Sequence, residues 1–385
     1  MKIGIDIYSF DKPGDNFGVG PGVYAWNLLP EIINQSPDDI FYIFTNSENV
    51  SYIPVKSNVK IVIDRLPIKY RFLRIIHEQF VIPFWFVYFR LDFVHFFGNN
   101  ISYILGNKSI LTVLDLMWKF YLDYGIKSLR YKYVGLTIPI SIKYAKGVIT
   151  ISDFIAKEIA EKKLRSKPCY PILLAPGGSI DFDDDTVSNS IKEIAKGQYI
   201  YSVTTSMPHK NLKILLMAFN ELIKNNRFAG KLIVSGQLKG DFKYDTLKFI
   251  DENKLDEFVY LTGFVSESDK NYLYANSLMV VYPSLYEGFG LPILEAMAFG
   301  KPVITSNAAS IPEVGGDACL YFNPYSSAEL ADKILLVSSN SLLRQDLINK
   351  GQLQLSKFSW FKTAKETVDL YRLIFKKNDI KDVQA

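Results

Sequence analysis

Cysteine, histidine and tryptophan are scarce in this chain, with 2, 3 and 4 copies among 385 residues. Cys169 and Cys319 stand far apart, which excludes a disulfide framework and a thiolate metal site and points to a reducing compartment. No His/Cys group has zinc spacing. No G-x-S-x-G elbow appears, so Ser-His-Asp hydrolysis has no support. Surplus charge is lacking too: 44 Lys and Arg face 40 Asp and Glu. The net of +4 is too mild for a dedicated nucleic-acid binder, and no nucleic-acid module is recognisable. There is no fixed-period repeat and no low-complexity tract. The longest apolar run, residues 80–89, contains Pro83 and has about half the length that spans a bilayer. At the amino terminus, Asp6 interrupts the apolar alternation of Ile3, Ile5 and Ile7, unlike an export signal. A cytosolic protein, or one resting on the inner face of a membrane, is expected.

What is present reads as a folded α/β chain, 48% hydrophobic and 22% charged. Its length suits two domains of roughly 150–200 residues. Short apolar strands are expected at 2–7, 40–45, 59–63, 93–97, 109–114 and 147–151, with helices at 24–33 and 128–144. A second series is expected at 199–203, 231–235, 259–261, 278–282 and 301–304, with helices at 210–224, 266–275 and 291–299. This alternation predicts parallel sheets. The turn-rich, acidic stretch from Ala175 to Asp185 separates the series. Expected boundaries are a domain at 1–180, a linker at 181–198, a second domain at 199–365 and a C-terminal helix or tail at 366–385 packing back on the first. The fold expected is two Rossmann-like domains facing a central cleft, where ligands lie beyond the strand carboxyl ends.

The densest chemistry lies in Tyr282-Pro283-Ser284-Leu285-Tyr286-Glu287-Gly288-Phe289-Gly290-Leu291-Pro292-Ile293-Leu294-Glu295. A buried strand runs into a Gly-rich turn and then a helix, with Pro292 suited to its first turn and Gly300 to its stop. The turn's free N–H groups and the helix dipole converge on one spot, a ready anion site. Glu287 on the turn and Glu295 in the expected first helical turn can approach the same ligand, and carboxylates accept well from vicinal hydroxyls. From spacing alone, the two acids equally suit plain electrostatic support of a helix N-terminus.

This stretch, continuing through Ile311-Pro312-Glu313-Val314-Gly315-Gly316, closely resembles the donor signature of glycosyltransferase family 4, E-x7-E followed by P-E-V-x-G. The family comprises retaining enzymes of the GT-B fold. The resemblance implies that Glu295 binds the donor ribose and Glu287 sits beside the donor sugar and its leaving phosphate. The amides of Gly288, Phe289, Gly290 and Leu291 would contact sugar and phosphate. Ser202–Leu212, containing Pro208-His209-Lys210-Asn211, resembles the family's loop with a basic residue for the donor pyrophosphate, and Lys210 matches it. Many members carry an Arg upstream where this chain has Thr204 and Thr205; His209 is expected to supply part of that charge. Gly236 and Phe264 fall in segments resembling those that flank the nucleobase. Gly18-Val19-Gly20-Pro21-Gly22 resembles the glycine-rich loop over the donor phosphates, giving Gly20 and Gly22. Asp115 matches an acceptor-side segment where Leu114 replaces the usual His. His95 either lines the cleft or is a satisfied structural histidine. Asp181-x-Asp183 formally fits a D-x-D metal motif, but its expected place in the linker argues against a metal, and no cofactor is expected.

The charge is unevenly spread: residues 1–50 carry a net of −5, residues 51–180 a net of +11 and the remainder a net of −2. Residues 51–150 also hold 20 of the 55 aromatics. Lys69, Arg71 and Arg74 mix with apolar neighbours as in an interfacial segment, which would attract anionic lipid by about 1 kcal/mol per cation. A solvated face over an aromatic core fits the same pattern. The resulting expectation is a hexosyltransferase moving mannose from GDP-mannose to a lipid-linked oligosaccharide or polysaccharide at the inner membrane. A nucleotide-sugar epimerase of the same fold and an inactive assembly partner are the alternatives.

Overall fold

The computed structural model describes residues 1–10, 20–66, 71–123, 129–178 and 182–375. The chain forms two compact units, Met1–Ala175 with the segment from Ser359 onward, and Pro176–Phe358. The first unit contains a parallel sheet of Lys2–Asp6 (β1), Ile40–Thr45 (β2), Val59–Ile63 (β3), Phe93–Phe96 (β4), Ser109–Val113 (β5), Gly147–Thr150 (β6) and Tyr170–Pro171 (β7). Their order is β3-β2-β1-β4-β5-β6-β7, so the direction of winding reverses between β1 and β4. β4 and β5 are buried along their whole length, which explains their nearly unbroken apolar sequences Phe-Val-His-Phe and Ser-Ile-Leu-Thr-Val.

Helix Pro21–Gln35 starts at Pro21, whose missing N–H costs nothing at a helix start. It buries Tyr24, Leu28, Leu29, Ile32 and Ile33, one stripe at three- and four-residue spacing, and packs on helix Trp360–Phe375. Beneath this pair, Thr112 Oγ1 lies 2.7 Å from Tyr24 OH and 2.8 Å from His95 Nε2, while His95 Nδ1 lies 2.5 Å from Tyr371 OH. His95 is fully buried, and desolvation pushes its pKa down to about 3. It is a neutral, satisfied core residue, and the structural alternative for it holds.

The second sheet comprises Tyr199–Val203 (β8), Lys231–Ser235 (β9), Val259–Gly263 (β10), Met279–Tyr282 (β11), Val303–Ser306 (β12) and Cys319–Phe322 (β13). Its order is β10-β9-β8-β11-β12-β13, again parallel, with reversal between β8 and β11. The loops leaving β8 and β11 therefore flank the position where such sheets take ligands.

Three boundaries differ from expectation. Residues 182–198 are not a free linker: Asp184–Thr186 is a 3-10 turn and Asn189–Ile194 a helix. Ser188 N and Oγ donate to Asp269 Oδ1 at 2.8 and 2.6 Å, tying the segment to helix Glu267–Asn276. The second unit begins at Pro176 rather than after 180, and the chain rejoins the first at Ser359 rather than 366. β7 and β13 were not anticipated; β7 is two residues long and includes a proline tolerated at a sheet edge. Asp181, and Gly18 and Val19 of the glycine-rich loop, lie outside the described residues.

Replacing Thr112 with Val keeps the shape but leaves Tyr24 OH and His95 Nε2 without their shared partner. Each orphaned buried group should cost about 1–3 kcal/mol. A lowered midpoint in urea denaturation is expected, and an unchanged midpoint would remove the hub from the account.

Candidate functional site

Lys210 and Glu287, 77 residues apart, meet at the carboxyl ends of β8 and β11. The Lys210 ammonium donates to Glu287 Oε1 at 2.8 Å and to Tyr282 OH at 2.9 Å. Glu287 is only 8% exposed. Burial pushes its pKa up, but the Lys210 charge and hydrogen bonds from Lys210 and Tyr282 outweigh that and hold it below its ordinary value. It is therefore a carboxylate at neutral pH.

The turn that carries Glu287 is clamped from two sides. Asn211 adopts a left-handed conformation with φ of +53°, tolerated by its short polar side chain. From there its Nδ2 donates to Pro283 O at 3.1 Å and Pro324 O at 2.8 Å. Leu285 N donates to His209 O at 2.7 Å. On the other side, Thr305 Oγ1 donates to Tyr282 O at 2.7 Å, and the buried Ser310 hydroxyl lies 2.9 and 2.8 Å from Glu287 O and Phe289 O. Gly290 has φ of +121°, a conformation closed to other residues, so the chain can enter helix Leu291–Ala298 directly. Gly288, Phe289 and Gly290 are buried in this turn and Leu291 is partly exposed.

Glu295 lies in the second turn of that helix, not the first as expected, and its carboxylate is satisfied from the side. Tyr274 OH donates to Oε2 at 2.8 Å, and Lys270 Nζ lies 3.4 Å from Oε1. A cavity of about 60 Å³ opens beside it, lined by Pro176, Gly177, Gly178, Lys270, Tyr274 and Phe299. Such a volume admits a few water-sized groups, such as hydroxyls.

His209 corrects an expectation. It is 4% exposed, and burial with the Lys210 charge, opposed by Glu287, pulls its pKa down to about 4. At neutral pH it adds no positive charge; its Nε2 is 4.0 Å from Glu287 Oε1. Lys210 is left as the cation of this loop. Gly236 N donates to Gly263 O at 2.7 Å, and a Cβ at Gly236 would lie 1.7 Å from Thr204 O, so only glycine fits where the ends of β8, β9 and β10 converge. Phe264, next to Gly263, is half exposed.

In the first unit, Gly20 precedes helix Pro21–Gln35 and Gly22 is buried in its first turn. Asp115 Oδ1 accepts from Met117 N at 3.0 Å, and Leu114 is 8% exposed with its N–H donated to Asn99 Oδ1 at 2.8 Å. Lys69 lies outside the described residues, as does the Arg71 side chain. Arg74 is partly exposed, and its charge opposes the rise in the pKa values of Tyr8 and Glu78. Among the described residues, no group of three or more His, Cys, Asp or Glu is placed to hold a metal ion.

Residues 183–354, nearly all of the second unit, match the family model described as glycosyl transferases group 1. The second unit belongs to the glycosyl transferases group 1 family. Over 252 residues, 64% of this chain and 65% of the relative, the sequence is 33% identical to an O-antigen chain mannosyltransferase B of Escherichia coli. It is 29% identical over 225 residues, 57% of this chain and 58% of the relative, to the O-antigen chain mannosyltransferase RfbU of Salmonella typhimurium. The chain thus spans less than two thirds of the length of these relatives. Sucrose-phosphate synthase from Thermosynechococcus elongatus superposes with a TM-score of 0.76 at 16% identity, covering 98% of this chain and 99% of that one. The fold is accordingly GT-B.

Within the group 1 unit, Asn211, Ser310, Lys270 and Tyr274 were missed by sequence reasoning. Asn211 alone carried a signal, an asparagine directly before a helix. The others act through contacts between segments distant in sequence. The neutral His209 has a measurable consequence. Its folded pKa of about 4 lies below its ordinary 6.5. The unfolded chain then binds the extra proton between those values, and stability falls as pH drops through that window by up to about 3 kcal/mol. His209→Gln should flatten this part of the stability–pH curve, and an identical curve for the variant would rule out a buried neutral His209.

Proposed function

We propose that the protein is a retaining glycosyltransferase that transfers mannose from GDP-mannose to a lipid-linked oligosaccharide or growing surface polysaccharide. The observation that carries this reading is the Lys210–Glu287 pair on a clamped turn at the strand-order reversal of a group 1 unit. Mannose is favoured by the O-antigen mannosyltransferase relatives.

In this reading Lys210 takes up the charge of the departing diphosphate, with the backbone N–H groups of Gly288, Phe289, Gly290 and Leu291 completing the anion site. Glu287, ionised and fixed, accepts hydrogen bonds from donor-sugar hydroxyls. Glu295 exchanges its Lys270 and Tyr274 partners for ribose hydroxyls, and the nucleobase lies near Gly236 and Phe264. The acceptor hydroxyl attacks the anomeric carbon as the diphosphate leaves, and its proton passes to the leaving phosphate. Asp115, Gly20 and Gly22 belong to the acceptor side and the donor-phosphate loop, and no metal or other cofactor takes part.

The protein is also proposed to rest peripherally on an anionic inner-membrane surface. Among the described residues, no helix is long and apolar enough to cross a membrane. Phe80, Phe84, Val87 and Tyr88, on the consecutive turns His77–Val81 and Ile82–Phe89, are all more than 60% exposed. This apolar face in a chain segment with surplus Lys and Arg is suited to the lipid interface. Replacing Phe80 and Phe84 together with Ser should weaken sedimentation with phosphatidylglycerol vesicles by about tenfold or more. Equal sedimentation of variant and wild type would remove this face from the account.

Lys210→Ala and Glu295→Ala should each lose a charge-assisted contact of about 1.5–3 kcal/mol, or about 10–150-fold in kcat/KM. The check is transfer of radiolabelled mannose from GDP-mannose to a mannan oligosaccharide. Wild-type rates in both variants would show that the site is misassigned.

A further inference from the structure

The first unit holds a charged cluster that the donor chemistry does not use. Asp6 ends β1, and Asp64 directly follows β3, both on the carboxyl edge of the sheet. His77 lies between them, 1% exposed, with Nδ1 2.6 Å from Asp64 Oδ2 and Nε2 3.3 Å from Asp6 Oδ1. Both ring nitrogens face carboxylate oxygens, so both carry protons. Burial works against that charge, but hydrogen bonds and attraction from Asp6 and Asp64 prevail and raise the His77 pKa to about 9. Tyr8 stacks on the ring with centroids 3.9 Å apart.

His77 opens a five-residue π-helical turn, His77–Val81, set between helices Arg71–Ile76 and Ile82–Phe89. Such turns recur at functional sites. Gln79 secures the opposite side: its Nε2 donates to Ile101 O at 2.9 Å, and its Oε1 accepts from Tyr103 N at 2.8 Å. The turn is thereby fixed to the end of β1 through His77 and to the chain following β4 through Gln79. β1 and β4 flank the reversal in strand order, where parallel sheets take ligands.

Glu78 stands between these two anchors. Its carboxyl makes no hydrogen bond among the described residues, and the charges acting on it are Asp6, His77 and Arg74. Tyr103, tied through its N–H to the adjacent Gln79, donates its OH to Thr137 O at 3.4 Å, one turn from Tyr133 on helix Leu129–Tyr144, and Glu78 acts on both tyrosines. Tyr103 and Tyr133 are 40% and 45% exposed. Burial first and Asp6 second, opposed by His77 and Arg74, push the Glu78 pKa up to about 8. At pH 7 the group is mostly a neutral acid, able to donate one hydrogen bond and accept others. That chemistry suits an uncharged hydroxyl ligand, and the two half-exposed rings supply the apolar wall on which a sugar ring can lie.

Building on the transfer reaction proposed above, we infer that Glu78, Tyr103 and Tyr133 form the subsite for the terminal sugar of the acceptor glycan, with His77 and Gln79 as positioning residues. Glu78→Leu removes both hydrogen-bonding roles and Glu78→Gln keeps them. The readouts are KM for a mannan oligosaccharide at saturating GDP-mannose, saturation-transfer NMR of that oligosaccharide, and GDP binding by calorimetry. Glu78→Leu should raise the oligosaccharide KM about tenfold and reduce its NMR signal, with GDP binding unchanged. Glu78→Gln should stay near wild type at pH 7. Between pH 7 and 8.5 the wild-type KM should rise as Glu78 ionises, while that of Glu78→Gln should not. Tyr133→Ala, at a half-exposed position, should repeat the KM effect should Glu78→Leu fail to fold. Unchanged oligosaccharide KM and NMR signal in the folded variants would overturn the subsite. Failure of the wild type to bind GDP or transfer mannose would instead overturn the donor reading, and the NMR arm still reports the sugar subsite.

Discussion

An ionised carboxylate taken out of water needs a compensating charge and hydrogen bonds, or it takes up a proton. At Glu287 that compensation comes from the Lys210 ammonium, supported by Tyr282. The constraint reaches well beyond the pair. Lys210 must leave β8 at the right height, which Asn211 secures from a left-handed conformation, and Glu287 must sit on a turn held by Thr305 and Ser310. In the proposed reaction an incoming diphosphate competes with Glu287 for the same ammonium. The pair is then a site with its charge already placed, which limits the reorganisation needed when the leaving group becomes more anionic.

The two sheets solve a similar problem with different chemistry. Each is parallel and reverses its strand order once, between β1 and β4 in the first and between β8 and β11 in the second. In the second, the reversal is flanked by a cation, a carboxylate and a glycine-rich turn, a set suited to an anionic donor. In the first, it is flanked by an imidazolium held between two aspartates and by an uncharged glutamic acid near two tyrosines. That set suits a neutral polyhydroxyl ligand. The proposed assignment of donor and acceptor to these two places rests on the charge of the groups.

Much of the strand pattern was legible because buried parallel strands leave short apolar runs, and β2, β3, β8 and β9 begin and end where the sequence predicts. Glu287, Glu295 and Lys210 were legible because their motifs are local. Three features were not. The His209 protonation state depends on burial, which residue identity does not disclose. The folding of residues 182–198 onto the second unit depends on Ser188 finding Asp269, 81 positions away. The Asp6–His77–Asp64 cluster brings Asp6 to His77 across 71 positions, and reading Lys69, Arg71 and Arg74 as an interfacial segment drew attention away from His77. In the same region Arg74 acts on Glu78, while exposed apolar groups lie on the next helical turns.

The central claim, that Lys210 is the diphosphate cation released from Glu287 when donor binds, is tested most directly by a crystal structure with GDP. The account predicts Lys210 Nζ at about 3 Å from the diphosphate oxygens, lengthened from Glu287, with Glu295 accepting from the ribose hydroxyls. A diphosphate bound away from the ends of β8 and β11, with the Lys210–Glu287 contact intact, would contradict it.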